Sequence, residues 1–404
     1  MYLYLGLSII IGYLLGAVSP AWILGKVLRG IDIRKVGTKN AGTTNAYKIL
    51  GIGPAIITAV HDLAKGLFAI YIAWRLGVPD PLYLLAGIAA FLGHIYPFYL
   101  GFRGGQGSAT ILAIFFFLAI KVFLIIPLPW HQLLALAIIA LVVLYVSRIA
   151  SLLGIVILPL VWLMMIDLTF TYPDQRFNIL MIILILFYLW YRALTETIRR
   201  KMIELSDHTK EQLMNWRTFA RPLAIFIPII YIYTSKEAIL WVVGIVGGIF
   251  VLVDLFRLVS KGINLFLFKN IVGLMKEKET HKFSSMTFFM LAAFISILLF
   301  DRDIAIIALT FIIFGDLAVK FFGAQFSRRM IFRDRSLEGL IIYFAFSLFF
   351  GIFLGDQLGT VIWLPLIGAI AASLTDLFSI FGIDDNFTVA LISGAVMQGI
   401  RIFG

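Results

Sequence analysis

The chain has 404 residues, of which 62% are hydrophobic and 14% charged, and its mean hydropathy is +1.03. Soluble domains are about 45–50% apolar and about 25% charged, so this composition excludes a water-soluble globule and a disordered chain. Lys and Arg outnumber Asp and Glu by 33 to 22, a formal net charge of +11. In a membrane protein such an excess favours loops that face anionic headgroups over a nucleic-acid partner. Cysteine is absent, which excludes disulfides and thiolate chemistry.

Apolar segments recur along the whole chain. A membrane-spanning helix needs about 20 predominantly apolar residues. Fourteen segments approach this length, and in chain order they are 2–24, 52–76, 82–100, 109–127, 132–147, 149–166, 178–191, 219–234, 238–256, 286–300, 303–322, 340–355, 358–380 and 386–403. The first has no basic region in front of it, so it predicts a span and not a cleaved signal peptide. We therefore predict an all-α, polytopic transmembrane protein with about seven spans in each half.

A polar stretch over 192–221 divides the chain, and we expect two membrane domains, 1–205 and 206–404. The loop between the first two spans carries six basic residues and one acid. Because basic loops face the cytoplasm, this loop predicts an outside N-terminus in the plasma membrane. Counting alternate loops from there predicts that all the motif loops described below are cytoplasmic.

Two polar loops in the first half have the composition of a phosphate site. The stretch 25–48 alternates small residues, hydroxyls, amides and cations, which is typical of an anion-binding loop. In the stretch 93–110, Arg103 precedes three glycines in four positions and then an apolar helix. Such a loop lets the backbone approach a phosphate at a helix N-terminus. The alternative for the first stretch is a basic loop lying against headgroups, and the alternative for the second is a tight turn between helices.

These two stretches resemble motifs one and two of the acyl-phosphate-dependent glycerol-3-phosphate acyltransferases, the PlsY family. Ser147–Leu153 is similar to the family's Arg-x-x-Ser segment and Leu194–Ile198 to its third motif, so the resemblance covers roughly residues 1–205. It implies acyl transfer from acyl phosphate to the 1-hydroxyl of glycerol 3-phosphate, which gives lysophosphatidate in phospholipid synthesis. Neither a covalent intermediate nor a cofactor is expected in this half.

The resemblance also implies a set of site residues. The implied catalytic residues are Thr38, Lys48, Arg103, Gln106 and Glu196, and the implied substrate-binding residues are Lys39, Asn40, Asn45, His94, Gly104, Gly105, Gly107, Arg148 and Ser151.

The chain departs from the family pattern at several of these positions. The departures are Thr38 for Ser, Lys39 for Gly, Lys48 for Arg, Arg103 for Lys, Gln106 for Lys, Leu194 for His and Thr197 for Asn. The loss of a Lys and a His removes two groups able to stabilise phosphate or to carry a proton. We hypothesise that Lys39 returns one positive charge to the site, in which case Lys39→Gly abolishes acyl transfer.

Charged residues also interrupt the second apolar segment. His61, Asp62 and Lys65 lie where a span is predicted, and charge inside the membrane is a functional signal by default. Asp62 and Lys65 are three residues apart, so an ion pair on one helix face explains them equally well. His94, at the end of the next span, also has two interpretations: it acts as a base, or it caps the helix.

The second half places carboxylates and arginines at one end of its spans, as Mg²⁺ and a polyphosphate require. It resembles the CTP-dependent lipid kinases of dolichol, phytol and diacylglycerol, and the segment 276–279 is similar to a loop of that group. The resemblance implies nucleotide-binding residues Arg257, Arg335, Ser336 and Glu338, metal-binding residues Asp316, Asp384 and Asp385, and Mg²⁺ with CTP as cofactor. A helix N-cap at 384–386 and headgroup contacts of the arginines are the alternatives. Cytidylyl transfer to phosphatidate is an alternative reaction for this half.

The sequence therefore favours an acyltransferase fused to a lipid-kinase-like module. Its expected partners are membrane lipids, acyl phosphate, glycerol 3-phosphate, CTP and a lipid alcohol, with no nucleic acid. Three other interpretations stay open. In the first, only the kinase half is active and phosphorylates diacylglycerol or a polyprenol. In the second, the protein transports lipid precursors, and in the third it is a non-catalytic scaffold.

Overall fold

The computed structural model of the protein describes residues 1–199, 221–260, 282–333, 335–378 and 384–403. The α-helices in these ranges are α1 Tyr2–Ala17, α2 Pro20–Arg29, α3 Thr43–Leu50, α4 Ile52–Arg75, α5 Leu84–Ile95, α6 Ser108–Phe123, α7 Trp130–Ser147, α8 Ser151–Thr171, α9 Arg176–Arg199, α10 Phe226–Tyr233, α11 Lys236–Val259, α12 Ser285–Leu299, α13 Arg302–Phe326, α14 Leu337–Leu358, α15 Trp363–Phe378 and α16 Asp385–Phe403. Short 3₁₀ helices cover Ile33–Lys35, Phe98–Leu100, Pro173–Gln175 and Arg221–Ile225.

Within the described residues, each of the fourteen predicted apolar segments contains a helix. Nine helical segments of the described residues are long and apolar enough to cross a membrane, and five further apolar helices are shorter. The prediction of an all-α, multi-pass membrane protein is confirmed. Helix α3 and a two-stranded hairpin, β1 Met330–Phe332 with β2 Arg335–Ser336, were not predicted. Both lie in polar loops, where hydropathy carries no signal.

The chain folds into two compact units. The first consists of Met1–Leu128 and Leu158–Arg192, and the second of Pro129–Ile157 and Ala193–Gly404. Helix α7 is tied into the second unit, because Gln132 donates to Asp356 at 3.0 Å and Arg328 donates to the carbonyl of Val146 at 2.9 Å. The predicted domain boundary between 205 and 206 lies outside the described residues.

In the first unit, small residues bring α1 and α5 into close contact. A Cβ on Gly12 would lie 2.3 Å from the carbonyl oxygen of Ala86, and one on Gly16 would lie 1.9 Å from that of Ala90. Helices in membranes pack through such small residues because these allow the backbones to approach. The contact fixes α5, and therefore the residue at its polar end, His94.

In the second unit, α13 and α14 form the most extensive helix pair. Tyr343 of α14 is buried against Gly315 of α13, where a Cβ would lie 2.4 Å from the tyrosine ring. At the N-terminal end of α14 the hairpin turns the chain, and Leu337 donates to the carbonyl of Arg329 at 2.9 Å. Arg335, Ser336 and Glu338 lie at this end.

Candidate functional site

The two motif loops of the first unit meet around a small polar cavity. Its volume is about 200 Å³, and it is lined by Asn40, Gly42, Thr43, Thr44, Asp62, His94, Gln106, Gly107, Ser108 and Ala109. Pockets for drug-sized ligands measure about 300–1,000 Å³, so this cavity suits a smaller molecule.

Two helix N-termini open into this cavity. Helix α3 begins after Gly42 and helix α6 after Gly107, and no side chain of the described residues caps either of them. The first N–H groups of a helix have no partner within it, and the helix dipole places partial positive charge there. Gly107 has φ of +71°, a conformation that favours glycine. The arrangement is suited to an anion, and phosphate is the common one at such ends.

The shape of the first loop depends on one buried amide. Asn45, fully buried, donates through Nδ2 to the carbonyls of Ile33, Val36 and Asn40 at 2.8–3.0 Å. Its Oδ1 accepts from the backbone N–H of Thr38 at 2.8 Å. The side chain therefore positions the loop and holds Asn40 at the cavity, with its own polar atoms engaged.

Arg34 joins the first loop to the second. Its guanidinium donates to the carbonyls of Leu100 and Arg103 at 2.8 and 2.7 Å. It also pairs with Asp32, with 2.8 Å between Nη2 and Oδ2. This hydrogen-bonded guanidinium lowers the pKa of Asp32 to about 2 and raises that of Arg34. The pair is ionised at neutral pH. It holds the first loop against residues 100–103, just before the three glycines 104, 105 and 107 of the second loop, which we call the glycine loop.

The glycines of the second loop have different roles. Gly104 donates its N–H to the carbonyl of Ile95 at 2.9 Å, and Gly105 donates to that of His94 at 3.1 Å. These two amides are therefore engaged with α5, although the resemblance implied that they hold phosphate. A Cβ on Gly105 would lie 2.1 Å from Nε2 of His94. Of the three glycines, only Gly107 lines the cavity in the described part of the chain.

Beside the glycine loop lies a buried charged cluster, Asp62, Lys65 and His94, which we call the buried triad. Lys65 Nζ is 2.8 Å from Asp62 Oδ1, so the two pair as their spacing predicts. Lys65 also contacts Nδ1 of His94, and that atom is 3.4 Å from Asp62 Oδ1. Thr110 of α6 donates to the carbonyl of Asp62 at 2.7 Å. The triad therefore links α4, α5 and α6 at the cavity wall.

The remaining predicted residues of the first unit lie around the cavity and not in its wall. Thr38 donates its N–H to Asn45, while Lys39, Lys48 and Arg103 are exposed. None of these four is among the cavity-lining residues within the first 199, all of which are described. Lys39 has φ of +56°, which explains why glycine is the family's residue there.

Three predicted residues belong to the second compact unit. Arg148 ends α7 with φ of +57° and is exposed, and Ser151 begins α8. Glu196 pairs with Arg199 one helical turn later, with 2.7 Å between Oε2 and Nη2.

The second unit has a cavity of its own, with a volume of about 450 Å³. It is lined by Val319, Lys320, Gly323, Ser327, Met330, Arg335, Ser336, Gly339, Leu340, Asp376 and Leu377. The sequence analysis chose Arg335 and Ser336 as nucleotide-binding residues, and both lie in this wall. Lys320, Ser327 and Asp376 also line it and were not in the predicted set of site residues.

Charged and capping contacts organise this second cavity. Arg335 lies 3.3 Å from Oδ1 of Asp376 and also pairs with Asp385. Ser336 caps α14 by accepting from the N–H of Gly339 at 3.1 Å. Buried Glu338 accepts from the N–H groups of Arg328 and Arg329, both at 3.1 Å. Glu338 therefore shapes the loop before α14 and does not face the cavity in the described structure.

The other predicted residues of this half have partners in the protein. Arg257 is fully buried and pairs with Asp254 at 2.9 Å. Asp316 pairs with Lys320 at 2.8 Å. Asp384 accepts from Ser285 at 2.9 Å and from its neighbour Asn386. Among the described residues, no three carboxylate or histidine side chains come close enough to hold a metal by themselves. The 276–279 segment lies outside the described residues.

Comparison with known proteins bears on the first half of the chain. The family model described as glycerol-3-phosphate acyltransferase matches residues 6–202. These residues are acyltransferase-like in sequence. A glycerol-3-phosphate acyltransferase of Shouchella clausii is 49% identical over 109 residues, which cover 26% of this chain and 53% of that protein. One from Trichlorobacter lovleyi is 40% identical over 126 residues, 30% of this chain and 64% of that protein.

The chain thus spans about half the length of the curated relatives that it matches. A crystal structure of PlsY, an integral membrane glycerol 3-phosphate acyltransferase, in its glycerol 3-phosphate form aligns with a TM-score of 0.35 and 27% identity. That alignment covers 49% of this chain and 92% of PlsY. Both motif loops, α3 and the buried triad lie within the acyltransferase-like residues.

Proposed function

We propose that the acyltransferase-like half transfers an acyl group from acyl phosphate to the 1-hydroxyl of glycerol 3-phosphate. The hydroxyl oxygen bonds to the acyl carbon, the bond from that carbon to the phosphate oxygen breaks, and the hydroxyl proton leaves with inorganic phosphate. The product is lysophosphatidate. We further propose that the motif loops face the cytoplasm, with Met1 outside.

The observation that carries this proposal is the small cavity with two uncapped helix N-termini. Both substrates carry a phosphate, and the N–H groups at a helix N-terminus bind such a group without a counter-charge. Acyl phosphate already has a good leaving group, so orienting the two reactants and stabilising charge supply most of the catalysis. Asn40 and Gln106 add amide donors on either side of the cavity.

The direct test uses the purified full-length protein in detergent with acyl phosphate and labelled glycerol 3-phosphate. We expect labelled lysophosphatidate, and its absence in every lipid and detergent tried refutes the proposal. Gln106→Glu places a negative charge in the cavity wall, so we expect a rise in KM for glycerol 3-phosphate of at least tenfold. Gln175→Glu is the matched control, because Gln175 accepts from Asn178 at 2.9 Å and a carboxylate accepts equally well.

For the second half we propose a CTP-dependent lipid kinase, and the second cavity supports this. Lys320, Arg335 and the serines offer phosphate contacts, and the volume of about 450 Å³ suits a nucleotide better than the first cavity does. Mg²⁺ is commonly held by one or two carboxylates together with substrate phosphates, and Asp376 and Asp385 fit that requirement. The ion would neutralise charge on the phosphoryl oxygens.

The kinase proposal is tested with CTP labelled in either the α- or the γ-phosphate, with Mg²⁺ and diacylglycerol or polyprenol. Transfer of the γ label into lipid supports the kinase. Transfer of the α label identifies cytidylyl transfer instead, and transfer of neither refutes both. Lipid phosphorylation without lysophosphatidate formation would leave only this half active.

A further inference from the structure

The buried triad is more than an ion pair, because a third polar group shares it. Asp62, Lys65 and His94 are exposed by only 2%, 4% and 5%. Asp62 and Lys65 alone compensate each other's charge, as buried charges must. Yet Lys65 also contacts the imidazole, and His94 in turn lines the cavity. The triad therefore connects a buried ammonium group to the wall of the site.

The contacts decide where the imidazole carries its proton. A lysine ammonium has only donors, so Nδ1 of His94 must accept from Lys65. The proton of a neutral ring then lies on Nε2. Asp62 accepts from Lys65 at 2.8 Å, which leaves the whole triad with no net charge. His61, the other titratable group nearby, lies 3.9 Å from Asp62 Oδ1 and is partly exposed.

The Nε2 atom lies beside Gly105, next along the chain to Gln106 and Gly107 of the cavity wall. Within the described residues it has no hydrogen-bond partner, whereas Nδ1 contacts both Lys65 and Asp62. We infer that Lys65 and Asp62 are positioning residues, which hold His94 as an Nε2–H donor to a phosphate oxygen of the bound substrate. This inference rests on the proposed acyl transfer.

Lys65→Met tests this assignment through its pH profile. Without the ammonium, Asp62 becomes the partner of Nδ1, and that nitrogen takes the proton. At low pH the charged ring has both N–H groups and the donor to phosphate is present. As pH rises, the charged ring gives up a proton, Nε2 is left without one, and the donor is lost.

We therefore expect the ratio of variant to wild-type kcat/KM to fall at least tenfold between the lowest pH at which both proteins stay folded and pH 8. Using the ratio removes the titration of the substrates themselves. Lys121→Met is the matched control, because Lys121 donates to Asp80 and Tyr83 near the far end of α6, about 20 Å from its N-terminus. Its ratio stays constant with pH. A constant ratio for Lys65→Met would show a merely structural role and overturn the inference.

A second measurement does not depend on activity. The ¹⁵N spectrum of histidine-labelled wild-type protein, with the His94 signal identified from His94→Gln, reports the tautomer directly. We expect Nε2–H, a shift of that signal with glycerol 3-phosphate or inorganic phosphate, and Nδ1–H in Lys65→Met at pH 8. Nδ1–H in the wild type, or no shift with either anion, overturns the inference. A shift with phosphate but no lysophosphatidate would refute the acyl transfer and leave the donor role standing.

Discussion

Gly105→Ala tests whether the glycine loop and the buried triad form one rigid site. The added Cβ would lie 2.1 Å from Nε2 of His94 and 2.8 Å from the carbonyl oxygen of Ala41. Ordinary contact begins at 3.4 Å, so the ring would have to move by about 1.3 Å. Its Nδ1 is held by Lys65, and so the loop must move as well. Overpacking of this kind costs about 1–3 kcal/mol of stability.

Displacement of reacting groups by about 1 Å costs roughly 100-fold in rate. We expect kcat for acyl transfer to fall by that order, together with a lower thermal unfolding midpoint measured by tryptophan fluorescence. Gly53→Ala is the control, because it adds the same methyl group where nothing lies within 4 Å. Near-wild-type kcat and stability for Gly105→Ala would refute the close packing of His94 on the loop.

Three further predictions concern contacts outside the triad. Asn45→Asp keeps the acceptor for Thr38 but removes the donor to three carbonyls, so we expect a loss of about 1–3 kcal/mol and a weaker response to glycerol 3-phosphate in unfolding scans. Asp254→Asn removes the carboxylate that pairs with buried Arg257 and should cost about 3–5 kcal/mol, much of it recovered in the double variant with Arg257→Met. Asp32 has a pKa of about 2 in the folded protein against an ordinary value of 3.8. Its contribution to stability is therefore complete above about pH 4 and is lost as pH falls toward 2. The stability of Asp32→Asn, measured by acid unfolding, should lack this pH-dependent contribution.

Hydropathy predicted the fold because a membrane helix must satisfy its own backbone groups and therefore needs a long apolar segment. Each predicted segment contains a helix in the part of the chain that the structure describes. Helix α3 and the hairpin were missed because they are short and polar, and their formation depends on tertiary contacts. Asn45, which shapes the loop before α3, gives no hydropathy signal at all.

In the candidate site, too, the sequence predicted some features and missed others. Motif spacing indicated Asn40, Gln106 and Gly107, and the structure places them together at one cavity. The roles of single residues did not follow from the motif. Gly105 is needed for the ring that packs on it, and Arg257 for a buried ion pair. A sequence pattern records which residue is required, whereas only the contacts distinguish binding a ligand from positioning a neighbour.

The charge balance of the site leads to a last prediction, for Lys39. The cavity wall offers amides and helix N-termini, and the triad is neutral overall, so no lysine or arginine among the described lining residues replaces the lysine absent at Gln106. Lys39 is exposed and outside the described cavity lining. We therefore expect Lys39 to attract anionic substrates without holding them, and such steering is screened over about 8 Å at physiological salt.

Lys39→Gly should consequently lower kcat/KM about two- to fivefold at low ionic strength, with kcat unchanged and no difference from wild type at 0.5 M salt. The backbone tolerates the change, because φ at this position is +56° and suits glycine. Complete loss of acyl transfer at every ionic strength would instead support our hypothesis from the sequence, in which Lys39 supplies a charge within the site. The salt series separates the two because a cation in contact with bound phosphate is screened far less than one acting from the surface.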